Sequence, residues 1–199
     1  NTFCFYFRPL SSRVRNSIAM NARLEGLSLW DRDVVRYLDS DRIPIFNPIE
    51  DFLFGLDVRW DGHDRIRELA ARVPCNNRHW ADLFYRWFLN MVAHWRQTDR
   101  KYANCTVPLL VGPQAYRKST FCRSLLPPEL QAYYTDRIDF SNKRDAEISL
   151  NRFALINMDE FDQNRVNQQA FLKHIFQKPI VNVRRPHGTA TQEMRGYAS

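Results

Sequence analysis

The chain lacks the residues from which a disulfide framework or a zinc site would be built. Four cysteines are scattered over 199 residues without a CxxC pair, and no histidine completes a metal-ligand spacing. Only six glycines and ten prolines are present, which excludes collagen-like and low-complexity chains. Aromatic residues make up 14% of the chain and argue against disorder. These absences favour a folded protein whose cysteines serve as small buried hydrophobes.

Long apolar runs are also missing. No run approaches the ~20 residues of a membrane-spanning helix, and the first thirty residues have no signal-peptide pattern. We therefore expect a cytoplasmic protein with no membrane partner. The chain begins at Asn1 without Met and ends at Ser199 just after a strand-like run, so we expect it to be part of a longer protein.

Positive charge comes mostly from arginine. The chain has 24 Arg and 5 Lys against 22 acidic residues, and its net charge is +7. Because the rigid guanidinium fork matches phosphate groups, this composition favours a polyanionic partner.

The first hundred residues predict mainly helices. Residues 3–7 alternate as in a strand, but helix signals follow. Asn47 is a candidate N-cap, Pro48 suits the first helical position, Glu50 can close a capping box, and Gly55 marks the end.

A long aromatic helix is predicted next. Residues 60–62 read as a turn, residues 66–73 have helical spacing, and a longer apolar stripe begins at Trp80. Such a stripe can be a base-stacking platform or a partner groove, but its regularity favours core packing. Its members are Trp80, Leu83, Phe84, Trp87, Phe88, Met91, Val92 and Trp95.

The pattern changes after residue 104. Apolar runs over 107–111, 133–138 and 153–158 predict strands with helices between them, and therefore an α/β sheet. We expect a mainly helical region over 1–103 and an α/β core over 104–199.

A loop with the layout of a phosphate-binding site follows the first predicted strand. Such a loop directs backbone N–H groups and a helix start toward one anion. Lys118 would reach the β- and γ-phosphates of ATP, and the Ser119 hydroxyl would hold Mg²⁺. The candidate nucleotide-binding residues are Gly112, Pro113, Gln114, Ala115, Tyr116, Arg117, Lys118, Ser119 and Thr120.

Two positions in this loop depart from the usual pattern. Arg117 stands where a second glycine is expected, and Ala115 occupies a position where glycine would be freer. Arg117 either points to solvent or alters how the nucleotide sits.

Two acids, Asp159 and Glu160, follow the predicted strand over 153–158. In a magnesium NTPase the first acid holds the Mg²⁺ shell and the second polarises the attacking water. The alternative is a strand that runs into a solvated acidic turn.

These motifs together resemble the virulence-associated protein E family. The resemblance rests on Asn47-Pro48, on residues 60–66, on residues 111–114 with 118–120, and on Asp159-Glu160. That family is similar to superfamily 3 helicases and primase-helicases of phages, plasmids and integrated elements, which have a P-loop ATPase core of the AAA+ kind.

The resemblance implies an AAA+-like P-loop core, truncated at its C-terminal end, behind a helical N-terminal region. It implies Lys118 and Ser119 as phosphate and Mg²⁺ ligands, Asp159 as a Mg²⁺ partner and Glu160 as the catalytic base. The full-length bacterial or phage-derived parent would form a ring and couple ATP hydrolysis to movement on DNA. Because the sensor strand would only begin at Tyr197 and the arginine finger is missing, we expect weak nucleotide binding and poor hydrolysis.

A hairpin is predicted near the C-terminal end. Residues 180–184 alternate, a Pro-His-Gly turn follows, and residues 192–197 return. In the helicases that the chain resembles, a hairpin here grips the DNA backbone, and the alternative is an ordinary solvated turn. The candidate phosphate contacts are Arg184, Arg185 and His187.

Two rival functions remain open at this stage. One is a non-catalytic DNA-binding or assembly module in which Arg117 and Ala115 mark a degenerate loop. The other is a P-loop kinase of a small substrate, against which the adjacent acids argue.

Overall fold

The computed structural model describes nine stretches of the chain, which fall into two compact units, Asn1–Phe46 and Asn47–Ser199. The described residues are 10–44, 46–56, 59–96, 98, 106–138, 143–150, 152–159, 180–184 and 190–194. The strand predicted over residues 3–7 lies outside them.

The described part of the first unit, residues 10–44 and 46, contains the helices α1 (Ser12–Leu24) and α2 (Asp31–Leu38). The Ser11 side chain caps α1 by accepting a backbone hydrogen bond from the first turn. Ala19 of α1 and Val34 of α2 are buried, so each helix contributes one small apolar residue to this unit.

The second unit opens with helix α3 (Pro48–Phe54). The Asn47 side chain accepts hydrogen bonds from the backbone N–H groups of Ile49 and Glu50, at 3.1 and 3.3 Å. Gly55 forms the C-cap. The predicted cap, the first helical proline and the end of this helix are therefore confirmed.

A turn that is stabilised by hydrogen bonds among its own residues leads into helix α4 (Arg65–Ala71). Gly62 has φ of +84°, a conformation that costs glycine little, and Asp64 caps the helix. Arg65 donates hydrogen bonds to the Asp61 carboxylate, which lowers the pKa of Asp61 below its ordinary value. In this structure, residues 60–66 form the turn, the N-cap and the start of helix α4.

Helix α5 (Trp80–Trp95) coincides with the predicted aromatic helix. Phe84 is 1% exposed and Met91 is fully buried, so the core interpretation of the stripe is confirmed. Leu83 is an exception, because it is 52% exposed. The Phe84 ring has centroid distances of 5.2 to 6.0 Å to Trp80, Trp87, Phe88 and Phe121. No helix in the described ranges is long and apolar enough to cross a membrane.

Helix α6 (Lys118–Ser124) and a 3-10 helix (Pro128–Tyr133) come next, and a strand, a helix and a second strand follow them. The strands pair in parallel, with Tyr134 opposite Leu155. The ladder continues at its ends, where the Asn157 N–H donates to the Thr135 carbonyl at 2.8 Å. The elements are α6 (Lys118–Ser124), the 3-10 helix (Pro128–Tyr133), β1 (Tyr134–Thr135), α7 (Lys143–Leu150) and β2 (Leu155–Ile156).

The predicted strand over 107–111 does not form in the described part of the chain. A strand needs backbone partners, and no backbone hydrogen bond joins these residues to another described segment. Leu109 and Val111 are 71% and 86% exposed, so the segment is not the buried strand that its apolar sequence predicts. The wider P-loop α/β fold stays a prediction.

The predicted hairpin is confirmed at the backbone level. Strands β3 (Ile180–Arg184) and β4 (Ala190–Met194) pair antiparallel, with Ile180 opposite Met194. The return strand begins at Ala190, two residues earlier than expected, and the turn over 185–189 lies outside the described residues.

The hydrophobic core of the second unit joins α5 to the βαβ segment. The Trp95 indole N–H donates to the Ala154 carbonyl at 2.9 Å in a buried hydrogen bond. The core thus draws on residues from both sides of the predicted division at 103/104, whereas the compact units divide between Phe46 and Asn47. The division at 103/104 stays a prediction.

Trp95→Phe will lower the free energy of unfolding by about 1 to 3 kcal/mol, because the buried Ala154 carbonyl loses the indole N–H that donates to it. Trp80→Phe is the matched control, since the Trp80 indole also donates to a carbonyl at 2.9 Å, that of Ala70. The Ala70 carbonyl also accepts from the Val73 N–H, so this change will cost less. Urea unfolding of both variants measures the difference, and equal losses would contradict the role given to the Trp95 bond.

Candidate functional site

The loop between residues 112 and 117 adopts a backbone shape that normally calls for glycine. Ala115 has φ of +64° and Arg117 has φ of +56°, both in the left-handed region. This region costs an L-residue roughly 1 to 2 kcal/mol. These are the two positions at which the sequence departs from the glycine pattern, and the backbone keeps the glycine-like conformation at both.

Lys118 folds back over this loop from the first position of α6. Its ammonium group donates to the carbonyls of Gly112 and Pro113, at 2.9 and 2.7 Å. These bonds use two of its three N–H groups, so a third remains for another acceptor. The lysine therefore holds the two ends of the loop together and keeps a positive charge beside it.

Ser119 meets Asp159 across forty residues of sequence. The Ser119 hydroxyl donates to Asp159 Oδ2 at 2.7 Å. Asp159 lies just beyond β2, so the start of α6 and the carboxyl end of a parallel strand meet here. Hydroxyl and carboxylate oxygens are the ligands that Mg²⁺ prefers, usually together with substrate phosphates. Among the described residues, no three or more acidic, His or Cys side chains are arranged so that they could hold a metal ion.

Packing and polar contacts fix helix α6 against the rest of the unit. The Phe121 ring lies 6.0 Å from that of Phe84 in the core. Arg123 pairs with Asp136, which follows β1, at 3.2 Å. The Gln131 side chain donates to the Arg123 carbonyl in the last turn of α6, at 2.9 Å. The Arg123–Asp136 pair thus ties α6 to the end of β1, and β1 pairs with the strand that precedes Asp159.

Cys122 is a neighbour of this site that the sequence did not single out. It lies three residues after Ser119, a spacing that places both on one helix face. Burial, together with the negative charge of Asp159, raises the pKa of the Cys122 thiol. A neutral thiol is a poor nucleophile, so these surroundings do not activate the cysteine.

An apolar cavity of about 270 Å³ lies between α5, α6, the segment 107–110 and residues 155–158. Aromatic and aliphatic side chains dominate its lining, and Cys122 and Asn157 are the exceptions. A triphosphate is too strongly hydrated for such a lining. The polar loop, and not this cavity, is therefore the candidate anion site.

The other predicted site residues lie in or beside the loop, on the hairpin, or outside the described ranges. Gln114, Tyr116 and Thr120 are exposed near the loop. Arg184 is the last residue of β3 and lies opposite Ala190. The residues outside the described ranges are Glu160, Arg185 and His187.

The described elements are mainly helices with two short parallel strands and a hairpin, and their polar site joins a Lys-Ser helix start to a carboxylate that follows a parallel strand. Residues 55–196 match the family model of the virulence-associated protein E-like domain. Because this match covers more than half of the chain, the protein belongs to that family. No curated protein matches the chain.

Proposed function

We propose that the chain is the nucleotide-binding part of a Mg²⁺-dependent ATPase. The observation that carries the proposal is the 2.7 Å hydrogen bond between the Ser119 hydroxyl and Asp159. It unites the two oxygen donors that the sequence pattern assigns to Mg²⁺, one at the start of α6 and one just after β2. In a solvated acidic turn, water would satisfy the Asp159 carboxylate, and a hydrogen bond from Ser119 would not be required.

The residues present fit the groups that they would hold. Ser119 and Asp159 supply hard oxygen donors, and Lys118, which directly precedes Ser119, supplies a cation. Bound Mg²⁺ would neutralise charge on the β- and γ-phosphates of ATP. Lys118 would turn from the loop carbonyls toward these phosphates, and Glu160 is proposed as the base that orients water.

The larger activity that we propose is DNA replication in a phage, plasmid or integrated element. In the cytoplasm of a bacterial cell, a ring of such subunits with an AAA+-like core would couple ATP hydrolysis to movement on DNA. The arginine excess and the β3–β4 hairpin support a DNA partner. Arg184, Arg185 and His187 are the proposed phosphate contacts.

The second candidate is a non-catalytic DNA-binding or assembly module. The observation that favours it is the left-handed backbone at Ala115 and Arg117, where two side chains occupy positions suited to glycine. In this case the loop would be a relic, and nucleotide would not bind.

Lys118→Ala will weaken binding of fluorescent ATP with Mg²⁺ by roughly tenfold to a hundredfold, the worth of a lost charge-assisted hydrogen bond. Arg86→Ala is the control, because it removes one exposed positive charge from α5. Fluorescence titration measures both. A wild type without saturable binding, or a Lys118→Ala variant that binds as tightly as the wild type, would favour the non-catalytic module.

A further inference from the structure

We propose that the chain associates with a second copy of itself, through helix α1 of one copy and helix α3 of the other. The two surfaces differ in charge and complement each other, so the contact is head-to-tail and every copy offers both surfaces. The inference does not depend on nucleotide binding.

Helix α3 presents an exposed aromatic ring between two carboxylates. Phe54 is 92% exposed, the largest value among the large hydrophobic residues that the structure describes. Glu50 and Asp51 precede it by four and three positions, so the three residues share one face, and both acids are exposed. Ile49 and Phe52 pack instead against the core. The packing of this unit therefore leaves Phe54 uncovered.

A second exposed ring follows on the same segment. Trp60 is 78% exposed, and its indole N–H donates to the His63 carbonyl at 3.2 Å, within the turn before α4. Because this bond holds the ring in place beforehand, a partner that covers it immobilises little additional side-chain freedom. Large aromatic residues are the usual anchors of protein interfaces. We call Glu50, Asp51, Phe54 and Trp60 the α3 surface.

The charge of this region indicates a basic protein partner. Residues 47–64 contain five acidic residues and one arginine. These carboxylates repel the phosphates of a nucleic acid, which argues against DNA at the α3 surface. The complementary surface must combine positive charge with apolar side chains that can cover Phe54.

Helix α1 has this chemistry. It contains three arginines and no acidic residue. Arg13, Met20 and Leu24 follow one another at intervals of seven and four positions, which places them on one face. All three are exposed, and Leu24 is 81% exposed, whereas the buried Ala19 lies on a different face. We call Arg13, Met20 and Leu24 the α1 surface.

The two surfaces also match in the order of their residues. The arginine lies N-terminal to the apolar residues of the α1 surface, and the two carboxylates lie N-terminal to Phe54. Two helices side by side in the same direction therefore pair Arg13 with the carboxylates and Met20 with Phe54. Arg13 and Met20 are about 10 Å apart along the helix axis, and Glu50 and Phe54 about 6 Å, a difference that a long arginine side chain covers. A thioether also makes favourable contacts with aromatic rings.

The test changes each surface separately in the full chain. Phe54→Ser removes the aromatic anchor of the α3 surface, and Arg13→Glu reverses the charge of the α1 surface. Leu83→Ser and Arg86→Glu are the matched controls, because they make the same kinds of change at exposed positions of α5. Thermal unfolding of each variant confirms that it is folded.

Sedimentation velocity over a range of protein concentrations measures the association. We expect the wild type to associate reversibly and the two controls to match it. Phe54→Ser will weaken association roughly tenfold to a hundredfold, the range of an interface hot spot. Arg13→Glu will weaken it about tenfold, because it places like charges opposite each other. Added salt will weaken the wild-type association, since the charge pairs lie near solvent.

An equimolar mixture of Phe54→Ser and Arg13→Glu tests whether the two surfaces meet each other. Each variant keeps the surface that the other has lost. A head-to-tail contact joins one molecule of each, and the two altered surfaces that remain stop further growth. We therefore expect a species of two copies, formed about as tightly as the wild-type contact.

Three results overturn the inference. The first is a wild type that stays monomeric at every concentration reached. The second is association that Phe54→Ser and Arg13→Glu leave unchanged. The third is loss of association in both variants without recovery in the mixture, which would mean that the two surfaces do not bind each other. None of these results affects the ATP titration of Lys118→Ala, so the proposed function stands or fails separately.

Discussion

In the variant Asp159→Asn, Mg²⁺ will no longer strengthen the binding of ATP. Asparagine has nearly the same shape and its amide oxygen can still accept the Ser119 hydroxyl, which lies 2.7 Å from the carboxylate in the native chain. The negative charge that a hard cation needs is lost. Substitution of a residue that only hydrogen-bonds to a metal ligand typically costs roughly 10- to 100-fold in metal affinity. Because Asp159 is itself a proposed ligand, we expect its substitution to cost roughly 100-fold or more.

The measurement is a MgCl₂ titration of the chain in the presence of fluorescent ATP. Asp136→Asn is the matched control, because Asp136 also follows a parallel strand but pairs with Arg123 at 3.2 Å. It will leave the Mg²⁺ dependence close to that of the wild type. A normal Mg²⁺ response in Asp159→Asn would remove Asp159 from the metal site, whatever the control shows.

Phe84→Ala will lower the free energy of unfolding by about 3 to 5 kcal/mol, the usual cost of truncating a buried phenylalanine. Phe84 is 1% exposed and lies among four aromatic rings. One of these rings belongs to Phe121 of α6, three positions after Lys118. The cavity left behind will therefore also loosen the helix that carries the candidate site.

Leu83→Ala is the control for this prediction, because Leu83 precedes Phe84 on α5 and is 52% exposed. It loses little buried surface, so we expect a change within about 1 kcal/mol. Urea unfolding followed by circular dichroism measures both variants. Similar losses at the two positions would show that α5 does not present Phe84 to the core.

Local elements were predictable because short-range chemistry decides them. Asn47 and Pro48 define the start of α3 through capping and a fixed φ angle. The apolar period of 3.6 residues defines α5 from Trp80 to Trp95. The alternation over 180–184 predicts a strand whose partner lies a few residues away.

Elements that depend on distant partners were less predictable. The apolar run over 107–111 has the composition of a strand, but no backbone hydrogen bond joins it to another described segment. Leu83 fits the helical stripe, yet the neighbours of α5 do not cover it. Neither outcome is encoded in a local pattern, because pairing and coverage depend on where other segments pack.

The sequence by itself determined the loop chemistry: a lysine and a serine at a helix start, and an arginine and an alanine where glycine is usual. Only the tertiary structure decided that Ser119 and Asp159 touch, because the parallel pairing of β1 with β2 and the packing of α6 bring them together. It also decided the left-handed backbone at Arg117. The physical reason is that side-chain chemistry is local, whereas a contact across forty residues is the result of the whole core.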